Sequence, residues 1–257
     1  MTDRTEIIIH MDADIDPDRL VTFIKEKCSQ ENLRVDVDVH GRFGKKMIAE
    51  QREKFSKPID IGSKTAIKVL TPRTKHFGFK PYVSDRNIIT IDATGAFGTG
   101  THQTTQMCVE AIEKYLKPDD TVLDVGCGSA ILSLISLSLG AAKAVGVDIN
   151  DTAVTSAMKN AELNDMSSKF TAINGDLVSS VTDKYDLVVG NLLADPIKAL
   201  LPNVWGCMKE DATLILSGIV DFRENEIIEI AEEHGFSIIQ REERDNWILL
   251  VLKYKNF

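Results

Sequence analysis

The chain has 257 residues, 43% of them hydrophobic and 27% charged, with a formal net charge of −9. That apolar share supports a packed core and excludes a disordered chain, and the length suits one large domain or a catalytic domain with a small companion. The acidic balance argues against broad nucleic-acid binding, which needs clustered Lys and Arg, and is compatible with a basic protein partner.

The first segment is small and mixed. Glu6 to His10 reads as a strand, and Asp16-Pro17 as an N-cap followed by proline at the first helical position. Leu20, Val21, Phe23 and Ile24 give that helix an apolar face, and Val35, Val37 and Val39 alternate with polar residues as a half-buried strand. Phe43 to Phe55 reads as a charged helix broken at Lys57-Pro58, and Ile59 to Leu70 as extended structure. Pro72 to Pro81 reads as a loop, either a mobile lid or a plain connection.

A strand, Ile88 to Asp92, leads into ATGAFGTGTHQTT, where Gly95, Gly98 and Gly100 stand among threonines with Phe97, Thr101, His102 and Thr105. Glycine at this density brings backbone close to a ligand or makes tight turns. Met107 to Leu116 reads as an amphipathic helix.

The stretch from Thr121 to Asn150 organises the rest. A strand (Val122 to Val125) runs into Gly126-Cys127-Gly128, a helix starts near Ser129 and stops at Gly140, and a second strand (Ala144 to Val147) ends at Asp148. This is the sequence form of a nucleotide-cradling unit. Glycines allow close backbone approach, the helix start offers unpaired N–H groups, and the acid can accept bonds from ribose hydroxyls. A dinucleotide fingerprint would put a third glycine at position 131, and that residue is Ile131.

Ala153 to Leu163 reads as a helix, and Phe170 to Asn174 as a strand ending at Gly175-Asp176. Tyr185 to Gly190 reads as a buried strand whose tip is Asn191-Leu192-Leu193-Ala194-Asp195-Pro196. A helix over Leu200 to Met208, a strand over Thr213 to Ser217, a helix over Glu224 to His234 and a hairpin from Phe236 to Tyr254 follow. The fold expected is α/β, a mostly parallel sheet closed by an antiparallel C-terminal hairpin, with a small N-terminal α/β module. Asp148, Asp176 and Asn191 would converge on the carboxyl edge of that sheet, where such folds bind ligands.

Cys28, Cys108, Cys127 and Cys207 form no C-x-x-C pair and read as reduced thiols. His10, His40, His76, His102 and His234 show no paired ligand spacing, so no metal is expected. No basic-plus-apolar leader opens the chain and no apolar run approaches membrane-spanning length, so a cytoplasmic protein off the membrane is expected.

Gly126-x-Gly128-x-Ala130 preceded by Asp124 resembles the first motif of class I S-adenosylmethionine-dependent methyltransferases, with alanine at the usual third glycine. The strings AFGTGTHQTT, DVGCGSAIL, GVDIN, GNLLADP, LILSGI and ERDNWILLVLK, with KFSKPIDIG ahead of them, are similar to the PrmA family, methyltransferases of ribosomal protein L11. The resemblance implies a Rossmann-like catalytic domain over 86–257, a connecting segment over 57–85 and a substrate-recruiting module over 1–56. It implies S-adenosylmethionine contacts at Thr105, Gly126, Asp148 and Asn191, with Phe97 and Thr101 beside them; Gly128 in the glycine turn and Asp176 at a strand tip are expected to join them from their own positions. It also implies methyl transfer to amino nitrogens of lysines and of the N-terminus of a basic ribosomal protein. Two departures stand out: Ala93-Thr94-Gly95 replaces the family's Pro-Gly-Met, and the N-terminal segment matches poorly.

Asn191 is the expected catalytic aligner, its side-chain oxygen accepting an amine N–H, and His102 the second catalytic candidate, orienting the loop or taking the proton through water. A monomer without bound nucleic acid is expected. Three other readings stay open: an N-methyltransferase for another protein or a small amine, an NAD-dependent oxidoreductase, and a non-catalytic binding module.

Overall fold

The computed structural model of the chain describes residues 17–30, 58–70, 84–92 and 100–255. The strands expected at Glu6–His10 and Val35–Val39, the helix at 43–55, the loop at 72–81 and the segment with Gly95, Phe97 and Gly98 lie outside the described residues. The chain divides into two compact units, Met1–Lys54 and Phe55–Phe257.

In the first unit, helix α1 spans Pro17–Gln30 with Pro17 at its first position, where a missing N–H leaves no bond unmade. Leu20, Val21, Ile24 and Cys28 are half-buried at helical spacing. Phe23 falls off that stripe and is exposed, with the Lys27 ammonium 6.0 Å from its ring centre, a correction to the apolar face expected from sequence.

The second unit holds two sheets. The larger has seven strands: β4 (Thr121–Val125), β5 (Lys143–Asp148), β6 (Phe170–Asn174), β7 (Tyr185–Asn191), β8 (Met208–Val220), β9 (Phe236–Arg244) and β10 (Trp247–Tyr254). Their spatial order is β6-β5-β4-β7-β8-β10-β9. The first five in that order run parallel, and β10 pairs antiparallel with both β8 and β9. Side chains alternate across the sheet with period two. Val122, Leu187, Val189, Ile215, Leu249 and Val251 face one core, and Leu123, Val188, Leu214, Leu216 and Leu250 face the other.

Helices α2 (Gln103–Tyr115), α3 (Ile131–Ser138) and α4 (Asp151–Leu163) supply the first core, while α5 (Ala194–Val204) and α6 (Glu224–Glu233) supply the second. Helix α3 has five apolar residues and three serines and is buried on nearly every side, every residue but Ser138 being buried. Its two buried serines bond inward, Ser136 to the Leu132 carbonyl and Ser133 to Asp124.

Several boundaries differ from the expected ones: α2 begins at Gln103, four residues before Met107, β8 is longer than Thr213–Ser217 at both ends, a turn parts Ile59–Leu70 into two strands, and two further differences bear on the site. Helix α3 begins at Ile131, because Ala130 takes a left-handed turn at φ 63°. The helix expected at Leu200–Met208 begins instead at Ala194, passes into a 3-10 turn at Trp205–Cys207 and has ended before Met208 opens β8. Pro196 is the reason: it marks a first helical turn, where proline is tolerated, not a loop.

The smaller sheet joins β1 (Ile59–Ile61), β2 (Thr65–Leu70) and β3 (Asn87–Asp92), with β1 antiparallel and β3 parallel to β2. Its Ile61, Ile67, Ile89 and Ile91 are buried against the first core. Two polar devices hold it there. Asn164 on the turn after α4 donates to the Thr90 carbonyl and accepts the Thr90 N–H, and Asn160 accepts the Asp92 N–H at 2.8 Å. At the other end the Glu113 carboxylate on α2 accepts from the Ser63 N–H and hydroxyl, the Lys64 N–H and the Thr65 hydroxyl, at 2.7 to 3.0 Å.

Burial pushes the Glu113 carboxyl up, but the bonds from Ser63, Lys64 and Thr65 together hold it below the usual carboxylate range. A depressed carboxylate stabilises the folded state above its unfolded value and loses that contribution as pH falls through the folded value. Glu113→Ala should therefore lower Tm at pH 7 by several degrees, the effect of about 1–3 kcal/mol in a unit of this size. The gap between the two proteins should close below about pH 4, a range set by the ordinary carboxylate value. Thermal melts at both pH values measure this, and equal Tm at pH 7 would remove the latch.

Candidate active site

The order of β4 relative to its neighbours locates a crevice. From β4 the chain moves outward through β5 and β6, then returns to place β7 on the other side of β4. Open α/β sheets bind ligands outside the strand ends at such a reversal. Val125 pairs with Gly190, so Gly126 and Asn191 emerge side by side.

The turn after β4 is built almost wholly from backbone. Gly126 and Cys127 N–H groups both donate to the Val147 carbonyl, at 2.8 and 3.0 Å, and Ala130 N–H donates to the Cys127 carbonyl at 2.7 Å. Gly126 and Gly128 sit at φ 72° and 53°, left-handed conformations that a side chain resists. Ala130 adopts φ 63° without a glycine's freedom, at a cost of about 1–2 kcal/mol.

Asp148, at the tip of β5, reaches back to this turn. Its Oδ2 accepts the Gly128 N–H and its Oδ1 the Asn150 N–H, both at 2.9 Å. The carboxylate is half-buried at the crevice mouth. Ile149, the next residue, is 74% exposed, although an isoleucine would ordinarily be inside. Sequence reading passed over it; the available signal was an apolar residue directly after a strand-tip acid.

Beneath the turn, Asp124 is fully buried and accepts the Ser133 N–H and hydroxyl at 3.1 and 2.8 Å. Burial raises its carboxyl to about 6, Ser133 opposes the rise, and the nearby Asp148 adds to it. The β4 strand therefore carries a second acid under the first, held by a helix-start N–H. Asn160 adds a tie that the sequence did not disclose. Fully buried, it donates to the Ser129 carbonyl at 3.0 Å while accepting the Asp92 N–H, and so joins the glycine turn to the end of β3.

Asn191 is half-buried, and its Nδ2 donates to the buried Thr105 hydroxyl at 3.3 Å. Leu192 behind it is seated by three glycines. A Cβ on Gly126 would come within 2.4 Å of Leu192 Cδ2, one on Gly190 within 3.4 Å of Cδ1, and one on Gly218 within 2.3 Å of the Leu192 carbonyl oxygen. Leu192 N–H donates to the Ser217 carbonyl at 2.9 Å. These glycines let three backbones crowd one leucine, which sets the direction in which Asn191 leaves the sheet.

The other expected residues that are described make local contacts of their own. Thr101 is exposed and its carbonyl accepts from the Gln106 amide at 3.2 Å. His102 caps α2: its Nδ1 accepts the Thr104 N–H at 3.3 Å and meets the Thr104 hydroxyl at 2.8 Å, and its ring stands edge-on to Trp247. Asp176 is exposed beyond β6, and its carbonyl accepts the Ser179 N–H. Phe97 lies outside the described residues. The structure thus brings Thr105, Gly126, Gly128, Asp148 and Asn191 to one crevice.

The donor set suits a ligand with a ribose and no phosphate. Between Gly126 and Asp151 the one cation is Lys143, which starts β5 at the opposite end from Asp148. Ile131, where a dinucleotide fingerprint has glycine, is buried and packs toward Gly100, whose Cβ would come within 2.8 Å of Ile131 Cδ1. A carboxylate, bare backbone and an exposed apolar residue fit the sugar, the amino-acid head and the base of S-adenosylmethionine. Among the described residues no group of three or more His, Cys, Asp or Glu could hold a metal, and no helix is long and apolar enough to cross a membrane.

The family model of ribosomal protein L11 methyltransferase (PrmA) matches residues 1–255. A relative of that name from Dictyoglomus turgidum is 36% identical over 253 residues, covering 97% of this chain and 82% of the relative. Another, from Clostridium perfringens, is 34% identical over 243 residues, covering 93% and 75%. The crystal structure of a ribosomal protein L11 methylase from Lactobacillus delbrueckii subsp. bulgaricus superposes with a TM-score of 0.70 at 32% identity, over 77% of this chain and 99% of that one. A 16S rRNA methyltransferase, RsmC, from T. thermophilus in complex with AdoMet and guanosine shares the fold alone, at a TM-score of 0.52 and 21% identity over 63% of this chain and 46% of that one.

Proposed function

The chain belongs to the ribosomal protein L11 methyltransferase (PrmA) family and is an S-adenosylmethionine-dependent protein methyltransferase, and on that premise we propose that it methylates lysine and N-terminal amines of ribosomal protein L11. When bound, S-adenosylmethionine supplies an electrophilic methyl carbon on a sulfonium that departs as a neutral thioether. Asp148 is the group that accepts the ribose hydroxyls. The bare backbone at Gly126 and Gly128 admits the amino-acid head, and Ile149 offers an apolar surface to the base.

The observation that carries the acceptor side is the bond from Asn191 to Thr105. With Nδ2 engaged, Oδ1 is the atom left to accept an amine N–H, which aims the nitrogen lone pair at the methyl carbon. A lysine arrives protonated, with a pKa of about 10.4, and must lose a proton first. A site that strips water from the ammonium beside a second positive charge favours the neutral amine. His102 serves by fixing the start of α2, and with it Thr105, two residues into the helix.

The same reading takes Thr101, Asp176 and Phe97 as the outer rim of the donor site, and the N-terminal module as the recruiting surface for L11. It has the enzyme working as a cytoplasmic monomer that meets its basic substrate without nucleic acid between them; the charge of −9 complements such a substrate. The test is to incubate the purified chain with radiolabelled S-adenosylmethionine and undermethylated ribosomal extract. Label should appear in L11; label confined to another protein or to small molecules would overturn the assignment of the acceptor.

A further inference from the structure

The three most exposed large apolar side chains among the described residues are Phe222 at 83%, Ile149 at 74% and Leu193 at 66%. All three follow strands at the carboxyl edge of the large sheet: Ile149 after β5, Leu193 after β7, and Phe222 after β8. The spatial order β5-β4-β7-β8 separates them. Ile149 stands with Asp148 on the donor side. Leu193 and Phe222 stand on the other side, beyond Asn191, where an acceptor has to enter.

These two residues are not loose surface. Phe222 sits in a 3-10 turn, Asp221–Arg223, that is tied on both flanks. Asp221 N–H donates to the Asn246 carbonyl at 3.0 Å, anchoring the turn to the β9–β10 hairpin. Arg223 donates to Asp195 Oδ1 at 2.6 Å and also pairs with Glu226, which in turn pairs with Lys198 at 3.1 Å. Asp195 and Lys198 lie in the first turns of α5, two and five residues past Leu193. An ion-pair network therefore joins the turn that carries Phe222 to the helix that follows Leu193. Isolated surface apolar residues are ordinary. A pair held at the mouth of a site by a charge network calls for an occupant.

The chemistry of that occupant follows from the surroundings. Asp195, Asp221 and Glu226 outnumber Arg223 and Lys198 around the pair, and the whole chain carries −9. A side chain that is apolar along its length and positive at its tip fits this combination. Resting on the reading that Asn191 receives the acceptor amine, we propose that Leu193 and Phe222 form a lip that grips the methylene stem of the acceptor lysine. The lip also sheds water from its ammonium, and so eases the proton loss that transfer requires. The acidic rim draws the lysine in.

The test uses the full-length chain, purified L11 and the double variant Leu193→Ala/Phe222→Ala. Both residues are exposed, so folding should be unaffected, with Tm within about a degree. The double variant should lower kcat/KM for L11 by about tenfold, mainly through KM, and displace the pH–rate profile toward higher pH. Donor Kd by calorimetry should stay within about twofold. Unaltered kcat/KM and pH profile in a background where the wild-type chain labels L11 would overturn the lip alone. An equal loss in donor affinity would also overturn it, placing the pair in the donor site. Failure of the wild-type chain to label L11 would instead remove the acceptor reading on which the lip rests.

Discussion

Replacing Asn191 with alanine should lower kcat on L11 by about a hundredfold or more, with Tm nearly unchanged. The side chain is half-buried, and its one described bond, to the Thr105 hydroxyl, is long at 3.3 Å. Its removal costs little in folding, since a hydroxyl can turn to another partner. What is lost is the oxygen that orients the amine. Transfer needs the lone pair, the methyl carbon and the sulfur in line, and misplacement by about 1 Å can cost that much in rate. Asn191→Asp retains an acceptor oxygen at the same place and should recover part of the activity. Steady-state kinetics beside calorimetry separate these outcomes. A kcat within threefold of wild type for the alanine variant would strip Asn191 of its role.

Asp148→Ala should weaken S-adenosylmethionine binding by about a hundredfold, equivalent to about 2.7 kcal/mol. Hydrogen bonds to a charged group contribute about 1.5–3 kcal/mol each, and a carboxylate can accept from both ribose hydroxyls. Asp148 also holds the Gly128 and Asn150 N–H groups, so the alanine variant loosens the glycine turn as well as the ligand. Asp148→Asn separates the two effects. Its oxygen can keep one backbone N–H, while the charge and one acceptor are gone, so Tm should recover more than affinity does. Titration calorimetry gives the Kd, and a value within threefold of wild type for the alanine variant would remove the ribose assignment.

Local pattern carried much of this protein. The strand at Phe170–Asn174 follows from a short β-rich run before Gly175, and the hairpin at Phe236–Tyr254 from a half-polar run and an apolar one parted by Asp245-Asn246. Asp148 was legible because the acid stands directly after a buried strand, twenty-two residues past Gly126. The start of α5 was misread because Pro196 signals both a loop and a first helical turn, and only the placement of Asn191 at the end of β7 decides between them.

By itself the chain's order of residues determined the alternation of strands and helices, the glycine turn after β4 and the acid and amide at two strand tips. These are readable because backbone periodicity and turn chemistry act over a few neighbouring residues. Tertiary structure alone decided that Glu113 latches a hairpin some fifty residues earlier, that Asn160 joins Ser129 to Asp92, and that three glycines enclose Leu192. It also decided that Leu193 and Phe222 share one edge of the sheet. Each of those contacts depends on which strands become neighbours, and that is settled by burying two apolar faces of one sheet, not by any local run of residues.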